Sequence, residues 1–278
     1  VPSKYIFSLT TNILGKLTLT LYKGKKTTFA PVIFIQRFFY TLWKCLFLLA
    51  FLSILIILYP FLLFFLATPK RYKYAFYCQK IMASWICFFS GIYLKRTYQI
   101  KPEEIPTPCV IVSNHASYLD IILSYFIIKN YFVFMAKFEL NKAPLFNVFF
   151  KDMQISVNRE SRSNSHKAFI RAGHELDMGH SIFIFPEGTI SSFGVLKPFK
   201  NGPFKLAVEK QVPILPITFV NNWKLLQNGG FFKSYGRPGI SRAIIHPPIQ
   251  TKGMSEENIV NLRAQVFNLI DNTLKQHG

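Results

Sequence analysis

Two residues able to exchange a proton near neutral pH, His115 and Asp120, stand five positions apart in Asn114-His115-Ala116-Ser117-Tyr118-Leu119-Asp120. A carboxylate that accepts a hydrogen bond from one imidazole nitrogen leaves the other nitrogen free to act as a base, and an imidazole near its reference pKa of about 6.5 suits proton abstraction from a hydroxyl. In a regular helix five residues advance the direction by roughly 500°, leaving the two side chains about 140° apart. The pair can therefore meet only if His115 lies in a loop or first turn and reaches back toward Asp120. Spacing alone does not separate this arrangement from a helix-capping Asn-His followed by an ordinary surface Asp. The segment does follow the apolar run Cys109–Val112, at a strand exit where α/β proteins place their working groups.

Three further segments accompany it. Phe185-Pro186-Glu187-Gly188-Thr189 closes the apolar strand Ile182–Phe185 with a proline, a carboxylate, a glycine and a hydroxyl. Such a tight turn exposes backbone amides and can approach a phosphate closely. Arg159 follows Ile155-Ser156-Val157 and offers bidentate contacts to a phosphate. Val212-Pro213-Ile214-Leu215-Pro216-Ile217 carries two prolines, which predict an edge strand or a wall. Lys137, after the apolar run Tyr131–Ala136, is either a phosphate contact or a solvated lysine. A serine nucleophile at Ser117 lacks the Gly-x-Ser-x-Gly elbow.

The elements that must position these residues alternate. Strands are expected at Cys109–Val112, Tyr131–Ala136, Gln154–Val157, Ser181–Phe185, Pro213–Val220 and Ala243–His246. Helices are expected at Ala116–Ile128, from Asn141-Lys142-Ala143-Pro144, at Ser163–Met178 ending on Gly179, at Gly202–Lys210, and from Ser255 to about Lys275. This alternation predicts an α/β class: a mixed, mostly parallel sheet flanked by helices, over residues 101–278. Residues 1–34 read as a basic N-terminal segment without a cleavage site, and 35–100 as a membrane-anchoring helical region. Within it, Cys45 to Ala67 is free of charge and reaches the roughly 20 residues needed to cross hydrocarbon. Pro60 is expected to kink or shorten that helix. The apolar stretch Ile81–Leu94 is too short to span and reads as interfacial. Basic residues on both sides (Arg37 and Lys44 before, Lys70, Arg71 and Lys73 after) favour a membrane-associated helical hairpin over a spanning helix.

Composition agrees with a membrane surface. The 278 residues are 50% hydrophobic and include 30 Phe, yet carry a net charge of +20, and mean hydropathy is +0.25. Oily and basic together point to a bilayer with anionic headgroups, although charge can also simply keep an apolar chain in solution. Nucleic acid is not an expected partner, because no recognition motif accompanies the charge. Cys45, Cys78, Cys87 and Cys109 show neither disulfide nor metal-ligand spacing, and no metal is expected.

Taken in order, the four motifs resemble those of the lysophospholipid acyltransferase family, to which 1-acyl-sn-glycerol-3-phosphate acyltransferases belong. Asn114 to Asp120 matches Asn-His-x4-Asp, Arg159 the arginine after a short strand, residues 185–189 Phe-Pro-Glu-Gly-Thr, and residues 212–217 Val-Pro-Ile-x-Pro-Ile. The likeness covers roughly residues 85–225. It implies transfer of a fatty acyl group from a thioester, on acyl carrier protein or coenzyme A, to the sn-2 hydroxyl of lysophosphatidate. On that reading His115 is the base and Asp120 its orienting partner. Asn114, Lys137, Arg159, Glu187, Gly188 and Thr189 are then substrate-binding, and no bound cofactor is required. Membrane lipids and a lysophospholipid acceptor are the implied partners, with the catalytic domain on the cytoplasmic face. One departure concerns the acceptor. Many members carry an arginine after the threonine, where this chain has Ile190, and Lys197 or Lys200 stands as a substitute cation. Another lysolipid, glycerol-3-phosphate or an amino-acid lipid remains an alternative acceptor, and a non-catalytic lipid-binding protein is the reading from a different class.

Overall fold

The computed structural model describes residues 30–137, 153–157, 161–191 and 193–278. Seven strands form one sheet, β1 (Ile92–Tyr98), β2 (Val110–Ser113), β3 (Phe132–Lys137), β4 (Ile155–Val157), β5 (Ser181–Ile184), β6 (Ile214–Phe219) and β7 (Gly239–Ile245), in the order β1-β7-β6-β2-β5-β3-β4. All neighbours run parallel except β6 and β7. This is the mixed, mostly parallel sheet expected. β2 lies between β6 and β5 and is buried along its whole length, which is why its sequence is an uninterrupted apolar run.

Alternation along the strands feeds two cores. On one face Ile111, Phe132, Phe134, Phe183, Leu215 and Ile217 pack under three helices, α1 (Ala30–Leu66), α2 (Tyr72–Ser90) and α3 (Leu119–Ile127). On the other face Val110, Val112, Val133, Ile182 and Ile184 pack under α4 (Arg162–Asp177), α5 (Gly202–Glu209) and α7 (Ile259–His277). The short helix α6 (Asn222–Leu225) follows β6. Ser161 caps α4 by accepting from the Asn164 amide at 3.3 Å.

α2 explains how the N-terminal region is attached. Ala75, Phe76, Gln79, Met82, Ala83, Ile86 and Cys87 recur at helical spacing and are buried, while Tyr74, Tyr77, Ile81, Trp85 and Phe88 face outward. The Phe76 ring meets Tyr125, Tyr131 and Phe132 at 5.0–5.4 Å. Tyr125 Oη donates to Gln79 Oε1 at 2.6 Å. α1 lies against α2, with Trp43 Nε1 donating to the Ser90 carbonyl at 2.9 Å and Phe65 stacked on Tyr74. Most of α1 is uncovered apolar surface. Among the described residues, Phe34–Leu66 is the one helix long and apolar enough to cross a membrane. The 37 residues of α1 as a whole, Ala30–Leu66, amount to about 55 Å, against a hydrocarbon core of about 30 Å.

Several expectations are corrected. α1 begins at Ala30 and runs through Pro60 to Leu66, so the proline neither ends nor shortens it. The second helix starts at Tyr72 and stops at Gly91, whose φ of +68° supplies a left-handed cap, and Ile92–Tyr98 is a strand paired with β7. The sheet therefore takes in residues before position 101. β6 is interior and not an edge. Ile214 donates to the Ile249 carbonyl and the antiparallel ladder with β7 resumes at Ile217 with Ile245; between them Pro216, lacking an N–H, offers its carbonyl, which accepts from the His246 N–H at 3.1 Å. The helix expected from Asn141 and most of the basic segment 1–34 lie outside the described residues.

Truncating Phe76 to Ala should lower stability by about 3–5 kcal/mol through cavity formation beneath α2. Tyr77→Ala, on the uncovered face, should change it by no more than about 0.5 kcal/mol. Thermal unfolding in detergent micelles measures both.

Candidate active site

β2, β5 and β6 end at the same edge of the sheet, and their exits carry the residues singled out in the sequence. Asn114 fixes the first turn. Its amide donates to the Phe219 carbonyl at 2.9 Å and accepts from the Phe219 N–H at 2.8 Å, extending the β2–β6 pairing one step beyond β2. Both functional atoms of Asn114 are thereby engaged by backbone.

The chain then leaves regular structure until α3 begins at Leu119, so His115 sits in a loop and Asp120 in the first helical turn. This is the arrangement that allows the pair to meet, and His115 Nδ1 lies 2.9 Å from Asp120 Oδ2. The same oxygen accepts from the amides of Ala116 at 2.8 Å and Ser117 at 2.9 Å. Oδ1 accepts from Asn222 Nδ2 at 2.7 Å, and Asn222 Oδ1 in turn accepts from Ser241 Oγ at 2.5 Å. Asp120, Asn222 and Ser241 have no exposed surface. Because the carboxylate accepts, Nδ1 carries the proton and Nε2 the lone pair; among the described residues Nε2 has no hydrogen-bond partner. The imidazole stacks on Phe185 with centroids 4.0 Å apart and planes at 15°.

The turn at 185–189 holds the other side of the histidine loop. Glu187 Oε1 accepts from the His115 N–H at 2.7 Å, and Oε2 from the Lys197 N–H at 3.0 Å. The Ser191 N–H donates to the His115 carbonyl at 2.7 Å. Glu187 is buried, and desolvation pushes its carboxyl up to about 7, against the pull of those two amides. Its oxygens are turned inward onto backbone. Gly188 makes the turn at φ +79°, with its N–H on the Phe185 carbonyl at 3.1 Å. Lys197 Nζ donates to Thr189 Oγ1 and to the Ile190 carbonyl, each at 3.1 Å, which puts a cation where Ile190 supplies none.

Lys137 is the last residue of β3, paired with Val157 at the end of β4, so both strand exits open on the catalytic edge. The side chain of Lys137 and the whole of Arg159 lie outside the described residues. Ser117 is no nucleophile: it is buried, its hydroxyl donates to the Leu226 carbonyl at 2.7 Å and accepts from the Leu119 N–H at 3.1 Å. His246, after the antiparallel strand β7, is buried between Thr218 and Gln99, outside the sequence motifs, and burial lowers its pKa to about 4. Asn222 and Ser241 were not singled out by the sequence, and Phe185 was named only as part of its motif. A polar pair, Asn221-Asn222, immediately after the β6 run was the available signal for the first.

Two outcomes follow from this geometry. Since Glu187 has a folded pKa above its unfolded value, it contributes most below pH about 4.5 and loses that contribution as pH rises to about 7. The stability of the wild type relative to Glu187→Gln should therefore fall across that window, by roughly 3 kcal/mol, read from urea midpoints at each pH. Asn222→Ala leaves a buried carboxylate oxygen without its donor, so turnover should drop about tenfold or more with a stability loss of about 1–3 kcal/mol.

Comparison with known proteins places this site in a family. The family model described as Acyltransferase matches residues 96–220. A chloroplastic 1-acyl-sn-glycerol-3-phosphate acyltransferase of Arabidopsis thaliana is 32% identical over 202 residues, covering 72% of this chain and 55% of that protein. The 1-acyl-sn-glycerol-3-phosphate acyltransferase of Borreliella burgdorferi is 33% identical over 164 residues, covering 58% and 64%. A chloroplastic relative from Brassica napus is 35% identical over 151 residues, covering 53% and 43%. The chain thus spans about half the length of the curated relatives it matches. The crystal structure of the 1-acyl-sn-glycerophosphate acyltransferase PlsC from Thermotoga maritima superposes with a TM-score of 0.66 at 26% identity, covering 87% of this chain and 96% of that one. The motifs, the fold and these matches agree: residues 96–220 match the acyltransferase family, and the chain is similar to 1-acyl-sn-glycerol-3-phosphate acyltransferases.

Proposed function

We propose that this chain transfers a fatty acyl group from a thioester, carried by acyl carrier protein or coenzyme A, to the sn-2 hydroxyl of lysophosphatidate, forming phosphatidate. The observation that carries this reading is His115, held by Asp120 through Nδ1 with Nε2 unengaged among the described residues. Nε2 takes the hydroxyl proton as the oxygen attacks the thioester carbonyl. The tetrahedral intermediate collapses by breaking the carbon–sulfur bond, and the proton passes from Nε2 to the departing thiolate. Asp120 holds the ring and stabilises the imidazolium, with no acyl-enzyme step.

The acceptor phosphate is assigned to cations around the catalytic edge. Lys197 stands beside Thr189, while Lys137 and Arg159 follow from the strand exits and the motif resemblance. Fixing the phosphate holds the hydroxyl near Nε2, a contribution of several kcal/mol through proximity, on the order of 7–11 for well-aligned groups. Glu187 and Asn114, whose polar atoms are spent on backbone, act in this proposal by positioning the His115 loop. The uncovered apolar faces of α1 and α2 are read as a hairpin seated in one leaflet, with the catalytic domain on the cytoplasmic face.

His115→Ala should reduce acyl transfer to lysophosphatidate by about 100- to 10,000-fold while leaving the protein in the membrane fraction. The assay offers each thioester carrier in turn with purified protein. Undiminished turnover by the variant would remove His115 as the base.

A further inference from the structure

The loop after α6, residues 226–236, is tethered firmly and yet turns its largest apolar side chain outward. Lys44, buried in α1, donates through Nζ to the Phe231 carbonyl, to the Ser234 carbonyl at 2.7 Å and to Ser234 Oγ at 3.3 Å. Its ammonium also lies 5.4 Å from the Phe231 ring centroid, and Tyr235 meets Tyr40 edge-on at 5.6 Å. Gly236 runs so close to Lys44 and Trp43 that any Cβ there would overlap them. A lysine within an apolar helix needs such carbonyl partners, and here it takes them from the loop. At its other end the loop accepts the Ser117 hydroxyl on the Leu226 carbonyl, two residues from His115. Within this clamped segment Phe232 is 72% exposed and Phe231 is also exposed.

The segment on the other side of α6 shows the same pattern. Gly194 (φ +70°) lies against the Trp223 indole with no room for a side chain. Beside it Phe193 adopts a left-handed φ of +58° and leaves its ring 64% exposed, next to exposed Val195. A left-handed aromatic is costly, and such strain collects at functional positions. Both segments stand at the catalytic edge, and the first is joined to α1, whose uncovered face is apolar. The charge around them is one-sided: no Asp or Glu occurs between Glu209 and Glu256, whereas Lys224, Lys233 and Arg237 flank the exposed rings.

We propose that residues 226–236, together with Phe193 and Val195, form an interfacial collar that enters the same leaflet as α1. The collar places its basic flank at anionic headgroups and seats the catalytic edge on the bilayer, so that a lysolipid acceptor reaches His115 without leaving the membrane. The route to His115 rests on the proposed acyl transfer; the insertion itself does not. A bilayer fits better than a protein partner because the patch is continuous with α1 and its flank is basic and free of acid.

The test has two arms. In a Cys45→Ser background, where the other three cysteines are buried, Phe232→Cys carries an environment-sensitive nitrobenzoxadiazole label, with Lys252→Cys as the exposed control. Reconstitution into phosphatidylcholine–phosphatidylglycerol vesicles should shift the label at 232 to the blue and leave the control unchanged. An unshifted label at 232, or a shift produced by protein concentration without lipid, overturns the proposal. In the second arm, Phe231→Ser/Phe232→Ser should lower transfer to long-chain lysophosphatidate in vesicles by about tenfold. Transfer to a short-chain lysophosphatidate below its micellar concentration should be unaffected. Equal loss on both acceptors marks the loop as merely structural and overturns the proposal, as does no loss on either. If the wild type acylates neither acceptor, the proposed activity fails, while the label still reports insertion.

Discussion

Asp120 is a carboxylate with no exposed surface, and a buried charge costs several kcal/mol unless it is met by donors. Four N–H groups meet it, from the His115 ring, the amides of Ala116 and Ser117, and Asn222. That requirement shapes the neighbourhood. The chain between β2 and α3 has to fold back so that two amides and a ring nitrogen converge on one oxygen. The other oxygen draws in α6 and, through Ser241, β7. His115 is thereby tied to the antiparallel part of the sheet as well as to its parallel centre.

A second carboxylate, Glu187, performs the complementary task on the main chain. It bridges the amides of His115 and Lys197, joining the loops after β2 and β5. Phe185 adds a stacked face to the imidazole. Together these contacts leave the ring little freedom except at Nε2, the atom to which the proposed mechanism assigns the proton transfer. Preorganisation of this kind would let a base at His115 act without reordering its surroundings.

The helical hairpin joins this machinery through packing rather than through the sheet. α2 is apolar on both faces because one side covers the sheet, through Phe76 and its aromatic neighbours, and the other lies beside α1 in an uncovered apolar surface. Lys44 interrupts that surface and is satisfied by the loop after α6, which itself holds Ser117. The uncovered apolar helix α1 and the loop of His115 are therefore linked by a short series of polar contacts.

The amino-acid sequence by itself determined the alternation of strands and helices, because the period of apolar residues is a local property. It also determined the family motifs, since these are contiguous strings. His115 and Asp120 were legible as a pair for that reason. The length of α1 was only partly legible, as its first half carries Arg37 and Lys44, and Pro60 argued for a stop that tertiary packing does not impose. Two prolines left β6 as an edge strand or a wall, and only the path of β7 showed that it is interior, with Pro216 accepting from the His246 N–H through its carbonyl. Asn222 and Ser241 were not legible at all as partners of Asp120. They stand 102 and 121 residues beyond it, and only the closing of α6 and β7 onto the catalytic edge brings their side chains to the carboxylate. Likewise the sequence offered Glu187 as a headgroup contact, whereas burial and the direction of two amides turned its carboxylate onto the histidine loop. Strings and periods are set along the chain; what a polar side chain satisfies is set by whatever the fold brings within 3 Å of it.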